Sequence, residues 1–399
     1  QYIEVQESPV LSIVPGAVAK WKAQLPTMRR VNESFRLLLK AEDRWGNPAD
    51  QTDFRLRFSP TQSVNGLPSE TIDVSLKDGV LFFEGLSVPV PGDLSVELHD
   101  AKGDHVTRSN PLRIIEDSEL VPFWGELHGQ SEETIGTNSI YDYFAFARDK
   151  AGLDVIVHQG NDFQITNEFW EKIQSMTQQF LDEGELVTFP GYEWSGNTGL
   201  GGDRNVLFFQ EGEPIRRSSH VLVPDLMDLN NDCNSSDDLF LALKETKTIV
   251  FAHVGGRYAD IQSHEGNLER SVEIHSAGGT FEWLLQDALR FGYRVGIVSN
   301  SDGHKGRPGA SYPGASMFGS YGGLTCILAR KLTREMIWES LLRRHHYGTT
   351  GNRMYMDVGV LMNNPGTRFI EDPKLGDTEV ESTQECIMGD IVQTADSDV

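Results

Sequence analysis

The first third of the chain alternates between apolar and polar residues in short runs. The runs FRLRFS, TIDVSL and DLSVELHD are each bounded by Gly, Pro, Asn or Asp. Such alternation is typical of half-buried strands that are joined by turns. Several short strands at this spacing favour two packed antiparallel sheets. The pattern therefore predicts a β-sandwich module over residues 1–118.

The pattern changes near residue 121, where apolar runs begin to alternate with amphipathic segments. The runs PFWGELHG, LDVIVHQGND, ELVTFPGYEWS and TIVFAHVGG are predicted strands, and residues 138–151 and 167–181 are predicted helices. About seven such alternations favour a barrel-like arrangement over an open sheet. We therefore predict an α/β fold, with a barrel-like domain over residues 119–356.

The last stretch, residues 357–399, is acidic and alternates only weakly. Two interpretations stay open for this C-terminal extension. It is either the start of a further β module or a poorly ordered tail.

Composition limits the partners of the chain. The 399 residues carry a formal net charge of −24, which would repel nucleic acids and anionic membranes. We expect neither partner, and no apolar run is long enough to span a bilayer. A small anionic organic substrate remains compatible, because metal ions or a local basic loop can override the mean field. The oligomeric state stays open.

The cysteines and the N-terminus say little about the compartment. The three cysteines lie far apart, so they indicate neither a disulfide framework nor a thiolate metal motif. No secretory signal is visible, and the sequence begins with Gln1 rather than Met. The cytoplasm is the expected location, and N-terminal processing stays open.

Histidine and carboxylate residues recur where the predicted strands end. In a barrel these ends meet at one rim, where catalysis usually takes place. A single histidine is more often a surface or core residue than a ligand, but a series of them indicates a metal site. Imidazole and carboxylate without thiolate suit Zn, Mn or Fe, and this many ligands would require two or more ions. The candidate ligands are His128, Gln130, His158, Asp162, Glu193, Asp203, His253, Glu273, His275, Asp302 and His304.

These motifs resemble those of a known superfamily. WGELHGQ, LDVIVHQGND, FPGYEWS, FAHVGG, VEIHS and SNSDGH occur in the order of the metal motifs of the polymerase and histidinol phosphatase (PHP) superfamily. The chain is similar to an uncharacterised branch of it, in which β-sandwich modules flank the PHP domain. Over residues 121–357 the resemblance implies a distorted (β/α)7-type barrel that binds two or three divalent ions and usually hydrolyses phosphoesters.

The resemblance also implies roles for individual residues. His128 matches the opening His of the first motif, and Glu193 matches the bridging Glu. His253 matches a later His, and Asp302 with His304 match the closing Asp-X-His motif.

Other positions depart from the pattern. Gln130 replaces the second His of the first motif, and His158 with Gln159 replaces the expected Asp-His pair. Either His158 or Asp162 would then stand in, and Asp203 is the nearest substitute for a missing His.

The expected activity is metal-dependent hydrolysis of small phosphoesters or related anionic esters by a metal-activated water. Two alternatives stay open: a metal-dependent lyase or non-phosphoester hydrolase on the same barrel, and a non-catalytic binding or scaffold module. Guanidinium groups suit anion binding. The expected catalytic residues are Asp302, His304 and His158, and the expected substrate-binding residues are Arg204, Arg257, Lys305 and Arg307. The aromatic residues that either line a pocket or pack in the core are Tyr192, Trp194, Tyr258, Tyr312 and Phe318.

Overall fold

The computed structural model describes residues 14–310 and 318–395. The chain divides into two compact units, Gln1–Glu116 and Asp117–Val399. Each unit is described by itself below.

The described residues of the first unit form strands and no helix. In β5 (Ile72–Leu76), Val74 and Leu76 are buried while Asp73 and Ser75 are exposed, as strand alternation requires. The sheets have the orders β1-β3-β6, β2-β10-β7 and β5-β4-β8-β9. The strands are β1 (Lys20–Gln24), β2 (Met28–Arg30), β3 (Phe35–Glu42), β4 (Gln51–Pro60), β5, β6 (Val80–Leu86), β7 (Gly92–Leu94), β8 (Val96–Asp100), β9 (His105–Arg108) and β10 (Leu112–Ile115).

The second unit combines sheets with five short α-helices in its described residues. The helices are α1 (Ile140–Phe146), α2 (Asn167–Phe180), α3 (Ser236–Leu243), α4 (Glu282–Arg290) and α5 (Arg334–Leu342). The strands are β11 (Val121–Glu126), β12 (Val155–Val157), β13 (Val187–Phe189), β14 (Gly191–Ser195), β15 (Asp203–Phe208), β16 (Thr248–Ala252), β17 (Ser271–Ser276), β18 (Gly279–Thr280), β19 (Gly296–Ser299), β20 (Leu324–Ala329), β21 (His346–Thr349), β22 (Gly359–Phe369), β23 (Val380–Ile387) and β24 (Ile391–Gln393).

These strands form three separate sheets. One has the order β13-β12-β11-β20-β21, and another has the order β14-β15-β16-β17-β18, with β19 paired to β17. The acidic C-terminal stretch supplies the third, an antiparallel sheet in which β22 pairs with both β23 and β24. Residues 396–399 lie outside the described part of the chain.

The predicted α/β fold with a distorted (β/α)7-type barrel is wrong. The described residues are mostly β, and their strands and helices form no such barrel. A (β/α) barrel needs a crossover helix between parallel neighbours, whereas β14 pairs antiparallel with β15 and only a single 3-10 turn, Thr198–Leu200, lies between them. Only Pro190 separates β13 from β14. Proline has no N–H to donate to a ladder, so the chain leaves one sheet there and enters the next.

The helices cover the sheets through apolar faces. Helix α2 begins after Thr166, whose side chain accepts a hydrogen bond from the Phe169 backbone N–H. The helix buries Phe169, Trp170 and Ile173 in the core of the second unit. None of the described helices combines the length and the apolarity that a membrane crossing requires.

One histidine of this core is held in the neutral form. His346 is 2% exposed, and its Nδ1 lies 2.9 Å from the Ile297 carbonyl oxygen, which can only accept. Its Nε2 therefore accepts from the Ser271 hydroxyl at 2.9 Å. Burial lowers the pKa of His346 to about 4.

We expect His346 to make stability depend on acid. The folded pKa lies below the unfolded value of about 6.5, so the unfolded state binds the proton more tightly. The contribution of neutral His346 to the free energy of unfolding is therefore complete above about pH 6.5, and it is lost as the pH falls towards 4. Between about pH 7.5 and pH 5, wild type should lose about 2 kcal/mol more free energy of unfolding than His346→Gln. Denaturant titrations at both pH values measure this, with the exposed His105→Gln as the control. Equal pH dependence in wild type and His346→Gln would contradict the assignment.

Candidate metal centre

Three side chains from different strands of the second unit converge in its interior. His128 follows β11, Glu193 lies in β14, and His253 follows β16 directly. One ligand atom from each lies within 4.8 Å of the others. Their exposures are 0%, 4% and 1%, so the cluster is shielded from bulk water.

Backbone hydrogen bonds hold these segments together. The Asp302 N–H donates to the His128 carbonyl at 2.9 Å, which ties the loop after β19 to the end of β11. The Glu193 N–H donates to the Gly160 carbonyl at 2.9 Å, which ties β14 to the loop after β12. The ends of strands in two different sheets therefore meet at the cluster.

The spacing of the ligand atoms suits a shared ion. His128 Nε2 lies 3.7 Å from Glu193 Oε2 and 3.4 Å from Asp302 Oδ1. His253 Nε2 lies 3.6 Å from Glu193 Oε1. These separations are long for N–H···O hydrogen bonds. They are close to the roughly 3.3 Å between ligands that surround a tetrahedral zinc ion at about 2.0–2.1 Å.

The imidazoles present unpaired nitrogens to this space. Within the described part of the chain, His128 Nε2 and both ring nitrogens of His253 are buried without a hydrogen-bond partner. Buried polar atoms without partners are costly and rare. A metal ion would satisfy the Nε2 atoms of both rings.

Glu273 contacts the His128 ring at Nδ1, the nitrogen that does not face Glu193. Its Oε1 lies 3.0 Å from His128 Nδ1, and its Oε2 accepts from Asn300 Nδ2 at 2.6 Å. A carboxylate on the far nitrogen of a ligating histidine fixes the tautomer and makes the ring a better ligand. Glu273, a predicted ligand, thus lies where it would support His128.

The electrostatic field at the cluster favours a cation. Burial lowers the pKa of His128, but the Glu273 and Asp302 carboxylates outweigh this and raise that pKa well above its ordinary value. Burial raises the pKa of Glu193, yet His128 and His253 hold it well below its usual range. The same carboxylates that stabilise a proton on His128 would stabilise a metal ion in its place.

Two further predicted ligands, Gln130 and Asp203, form hydrogen bonds at or beside the cluster. Gln130 donates from Nε2 to Glu193 Oε2 at 3.2 Å and to Asn161 Oδ1 at 3.1 Å. Asp203 accepts from the backbone N–H and the Nε of Arg257, at 2.8 and 2.7 Å. Burial and the nearby Glu193 raise the pKa of Asp203 to about 6.

His158 and Asp162 lie outside the cluster of three. His158 Nε2 is 2.9 Å from Ser131 Oγ, and burial lowers the pKa of this histidine to about 4. Asp162 accepts hydrogen bonds from the backbone N–H groups of Ser195 and Ser218. Burial raises the pKa of Asp162 to about 7.

His275 is engaged at both ring nitrogens. Nδ1 lies 2.7 Å from Thr280 Oγ1, and Nε2 lies 2.9 Å from the Tyr321 carbonyl oxygen. Neither nitrogen remains for a metal ion.

A cavity of about 550 Å³ opens beside the cluster. Asp302 and His304 lie on its wall, with Asp302 Oδ1 3.3 Å from His304 Nε2. Asp302 has a φ of +48°, a left-handed conformation that is uncommon for residues other than glycine and often marks functional sites. Phe318 also lines the cavity and meets the His304 ring edge-on.

The four predicted substrate-binding cations divide into different environments. Arg257 lines the cavity, with Nη2 3.9 Å from Glu193 Oε1. Arg204 is fully buried, and its Nε donates to Glu269 at 2.9 Å, so it is closed to a substrate. Lys305 and Arg307 are half-buried and are not among the described residues that line the cavity.

The other aromatic candidates lie elsewhere. Tyr192 and Trp194 are fully buried in the core, and Tyr258 is exposed. Tyr312 lies outside the described residues.

Two buried residues near the centre were missed by sequence reasoning. Glu126 accepts from the backbone N–H groups of Ser301 at 2.7 Å and Gly309 at 3.4 Å, and burial raises its pKa to about 8. Its position two residues before His128 in the predicted strand PFWGELHG was a usable signal, because residues two apart in a strand share a face. Asn300, which holds Glu273, had no comparable signal.

Comparison with known proteins places the chain in a family. Residues 105–269 and 298–364 match the family described as "Protein of unknown function (DUF3604)". The chain belongs to this family. The predicted membership of the PHP superfamily is therefore wrong, as is the barrel that it implied. The family also gives no support to the predicted hydrolase and phosphoesterase class.

The chain is also similar to uncharacterised proteins of chlamydiae. It is 24% identical over 383 residues to one from Chlamydia pneumoniae, which covers 86% of this chain and 58% of the relative. Relatives from Chlamydia muridarum and Chlamydia trachomatis are 21% and 22% identical, each covering 82% of this chain and 55% of the relative. The chain thus spans little more than half the length of these relatives.

Solved structures show only distant similarity. The Yersinia pseudotuberculosis adhesin InvE matches with a TM-score of 0.19 and 14% identity, covering 28% of this chain and 30% of that chain. A CARDB domain from Pyrococcus furiosus, solved in complex with di-metal ions, matches with a TM-score of 0.18 and 14% identity, covering 28% of this chain and 100% of that chain. A structure of PhoD gives a TM-score of 0.20 and 10% identity, covering 48% and 42%. Similarity at this level carries no argument about the fold or the site.

We expect Glu273→Gln to weaken metal binding without abolishing it. The amide keeps the shape of the side chain but removes the charge that orients His128 and strengthens it as a ligand. Loss of such an outer partner typically costs about 10- to 100-fold in metal affinity. Calorimetric titration of chelator-treated protein with Zn²⁺ measures the change. Asp287→Asn on the surface of α4 is the control, and an unchanged affinity in Glu273→Gln would contradict the role.

Proposed function

We propose that this chain is a divalent-metal-binding module that presents its bound ion to a small anionic molecule. The observation that carries the proposal is the pair of imidazoles, His128 and His253, whose buried Nε2 atoms face one carboxylate, Glu193, and find no hydrogen-bond partner among the residues that the structure describes. Such a set has little structural purpose without a cation, because unpaired buried polar atoms destabilise a fold.

The chemistry of the donors supports a transition metal. Two imidazoles and a carboxylate, without thiolate, suit Zn, Mn or Fe. Asp302 Oδ1, 3.4 Å from His128 Nε2, is within reach as a further ligand. The described residues contain one cluster of three such ligands, so we propose one ion there. The two or three ions expected from the sequence stay a prediction.

The cavity supports the anionic partner. It borders Glu193 and Asp302, so a molecule inside it would lie beside the ion. Arg257 lines the same cavity and supplies a guanidinium group for a carboxylate or phosphate. A volume of about 550 Å³ is in the range of small-molecule pockets. The binding role needs only these features.

A catalytic use of the ion is the second candidate function. The Asp302–His304 pair on the cavity wall favours it, because a half-buried imidazole beside a carboxylate can take up or release a proton. The ion would supply an activated water or polarise an ester oxygen. Arg257 would hold the anionic end of the substrate, and Phe163 and Phe318 would limit access of water.

We expect chelator-treated wild type to bind about one Zn²⁺ or Mn²⁺ per chain. His253→Gln should lower the affinity by more than about 100-fold, since loss of a ligand exceeds the usual effect of an outer partner. At about 100 times the Kd, the ion should stabilise wild type by about 2.7 kcal/mol. Calorimetry and thermal unfolding with elemental analysis measure these effects.

The matched control is His264→Gln, a histidine of the same unit that stacks on Tyr293 away from the cluster. It should bind the ion as wild type does. Wild type that takes up neither ion, or His253→Gln that takes it up unchanged, would refute the proposed centre.

The two candidate functions differ in turnover. If the ion is catalytic, metal-loaded wild type should cleave members of a panel of small anionic esters, and His304→Gln should lower kcat while metal content stays the same. If the chain only binds, panel compounds should bind competitively without turnover. Steady-state assays paired with calorimetry separate these results. Turnover that persists after complete metal removal would contradict both.

A further inference from the structure

A second cavity, of about 560 Å³, lies in the same unit beside β19, β21 and β24. Val295, Ile297 and Met388 give it an apolar wall, and Met356, 41% exposed, lies on its lining near solvent. None of the three clustered ligands of the metal centre lines it.

Arg344 places a positive charge against this apolar wall. It lines the cavity and is only 5% exposed. Its Nε donates to the Gly389 carbonyl at 3.2 Å, and its Nη1 donates to the Leu342 carbonyl at 3.3 Å. Among the described residues, no carboxylate forms an ion pair with it. Burial lowers the pKa of Arg344 to about 10, which reflects a guanidinium group held away from water.

The backbone around this arginine is unusual. Arg344 has a φ of +61°, which a residue with a side chain seldom adopts. Gly389 has a φ of +94°, and a Cβ there would collide with the Arg344 carbonyl. Arg344 takes the left-handed position that ends α5, because its N–H donates to the Leu341 carbonyl at 3.2 Å and the His345 N–H donates to the Ser340 carbonyl at 2.9 Å. The end of the helix thus fixes the backbone that carries the Arg344 side chain.

The other charged groups at the cavity are already paired. Asp390 lies 3.1 Å from His345 Nε2 and 3.6 Å from Arg368 Nη1. Arg294 pairs with Asp372 at 2.5 Å. Among the described residues that line the cavity, Arg344 is the charged group without a carboxylate at ion-pair distance, and Glu371, Asp372 and Asp390 act on it only from further away.

We propose that this cavity binds a small organic carboxylate with an apolar body. The carboxylate pairs with the Arg344 guanidinium, whose planar fork matches it in two parallel hydrogen bonds. The apolar body lies against Val295, Ile297 and Met388. Burial of such a ligand supplies the missing counterion and covers apolar surface in one step.

This site is independent of the proposed metal function. Ile274 lines the second cavity, whereas its neighbour on β17, Glu273, contacts His128 of the metal centre. The residues that line the second cavity and those that line the cavity beside the metal centre have no member in common. The two sites are therefore built from different side chains.

Octanoate is a suitable probe, tested by calorimetry with the full chain after chelator treatment, so that no ion at the proposed metal centre competes for the anion. We expect saturable binding that weakens at least tenfold, by about 1.4 kcal/mol, in Arg344→Gln, because truncating one partner of a buried charge pair typically costs more than this. Acetate and octanol should each bind less well than octanoate, since one lacks the apolar body and the other the charge. Arg343→Gln, a neighbour that does not line the cavity, is the matched control and should bind as wild type does.

A second variant covers the case in which Arg344→Gln fails to fold. Met356→Glu adds a carboxylate at a partly exposed lining position, so it should fold normally and repel octanoate. Unchanged octanoate affinity in the folded Arg344→Gln or Met356→Glu variant would overturn the proposal. So would the absence of saturable binding, or inorganic phosphate that binds as well as octanoate.

Discussion

The second unit depends on a balance of charge among side chains that are almost fully buried. Two imidazoles and three carboxylates, Glu193, Glu273 and Asp302, meet there almost fully buried. Carboxylates in such surroundings need positive charge within a few ångströms, either protons on the histidines or a metal ion. Because the residues come from both large sheets, this requirement also links the sheets to each other.

Sequence reasoning selected three residues that cluster in the structure, although the fold that it predicted is wrong. His128, Glu193 and His253 could be chosen because each lies in or directly after an apolar run and offers a metal-binding atom. The partner of each strand could not be read in this way, since an apolar run has the same composition in parallel and antiparallel pairs. Pro190 illustrates the difficulty: it appeared as part of a strand-and-turn segment, yet it marks the change from one sheet to the other. The local pattern thus indicated which residues cluster, whereas the pairing of distant strands determines the fold.

The same limit explains the residues whose roles sequence could not assign. Gln130, Asp203 and Glu273 all resemble ligands in sequence, but they differ in the group that each one contacts. Gln130 contacts Glu193 and Glu273 contacts His128, whereas Asp203 holds Arg257 beside the cavity. Such roles depend on neighbours far away along the chain, so no spacing rule reveals them. Whether a ring nitrogen of His128 or His253 has a hydrogen-bond partner depends on the folded surroundings of the side chain, and the sequence alone does not contain this information.

The central claim is that His128, Glu193 and His253 together hold one transition-metal ion. X-ray absorption spectroscopy at the zinc edge of the Zn²⁺-loaded chain tests it most directly, because the spectrum reports the atoms bound to the metal. If these three side chains hold the ion, the spectrum should show nitrogen and oxygen neighbours at about 2.0–2.1 Å, with outer scattering from two imidazoles. The scattering from one imidazole should disappear in His253→Gln. Sulfur neighbours at about 2.3 Å, or oxygen neighbours alone, would contradict the account.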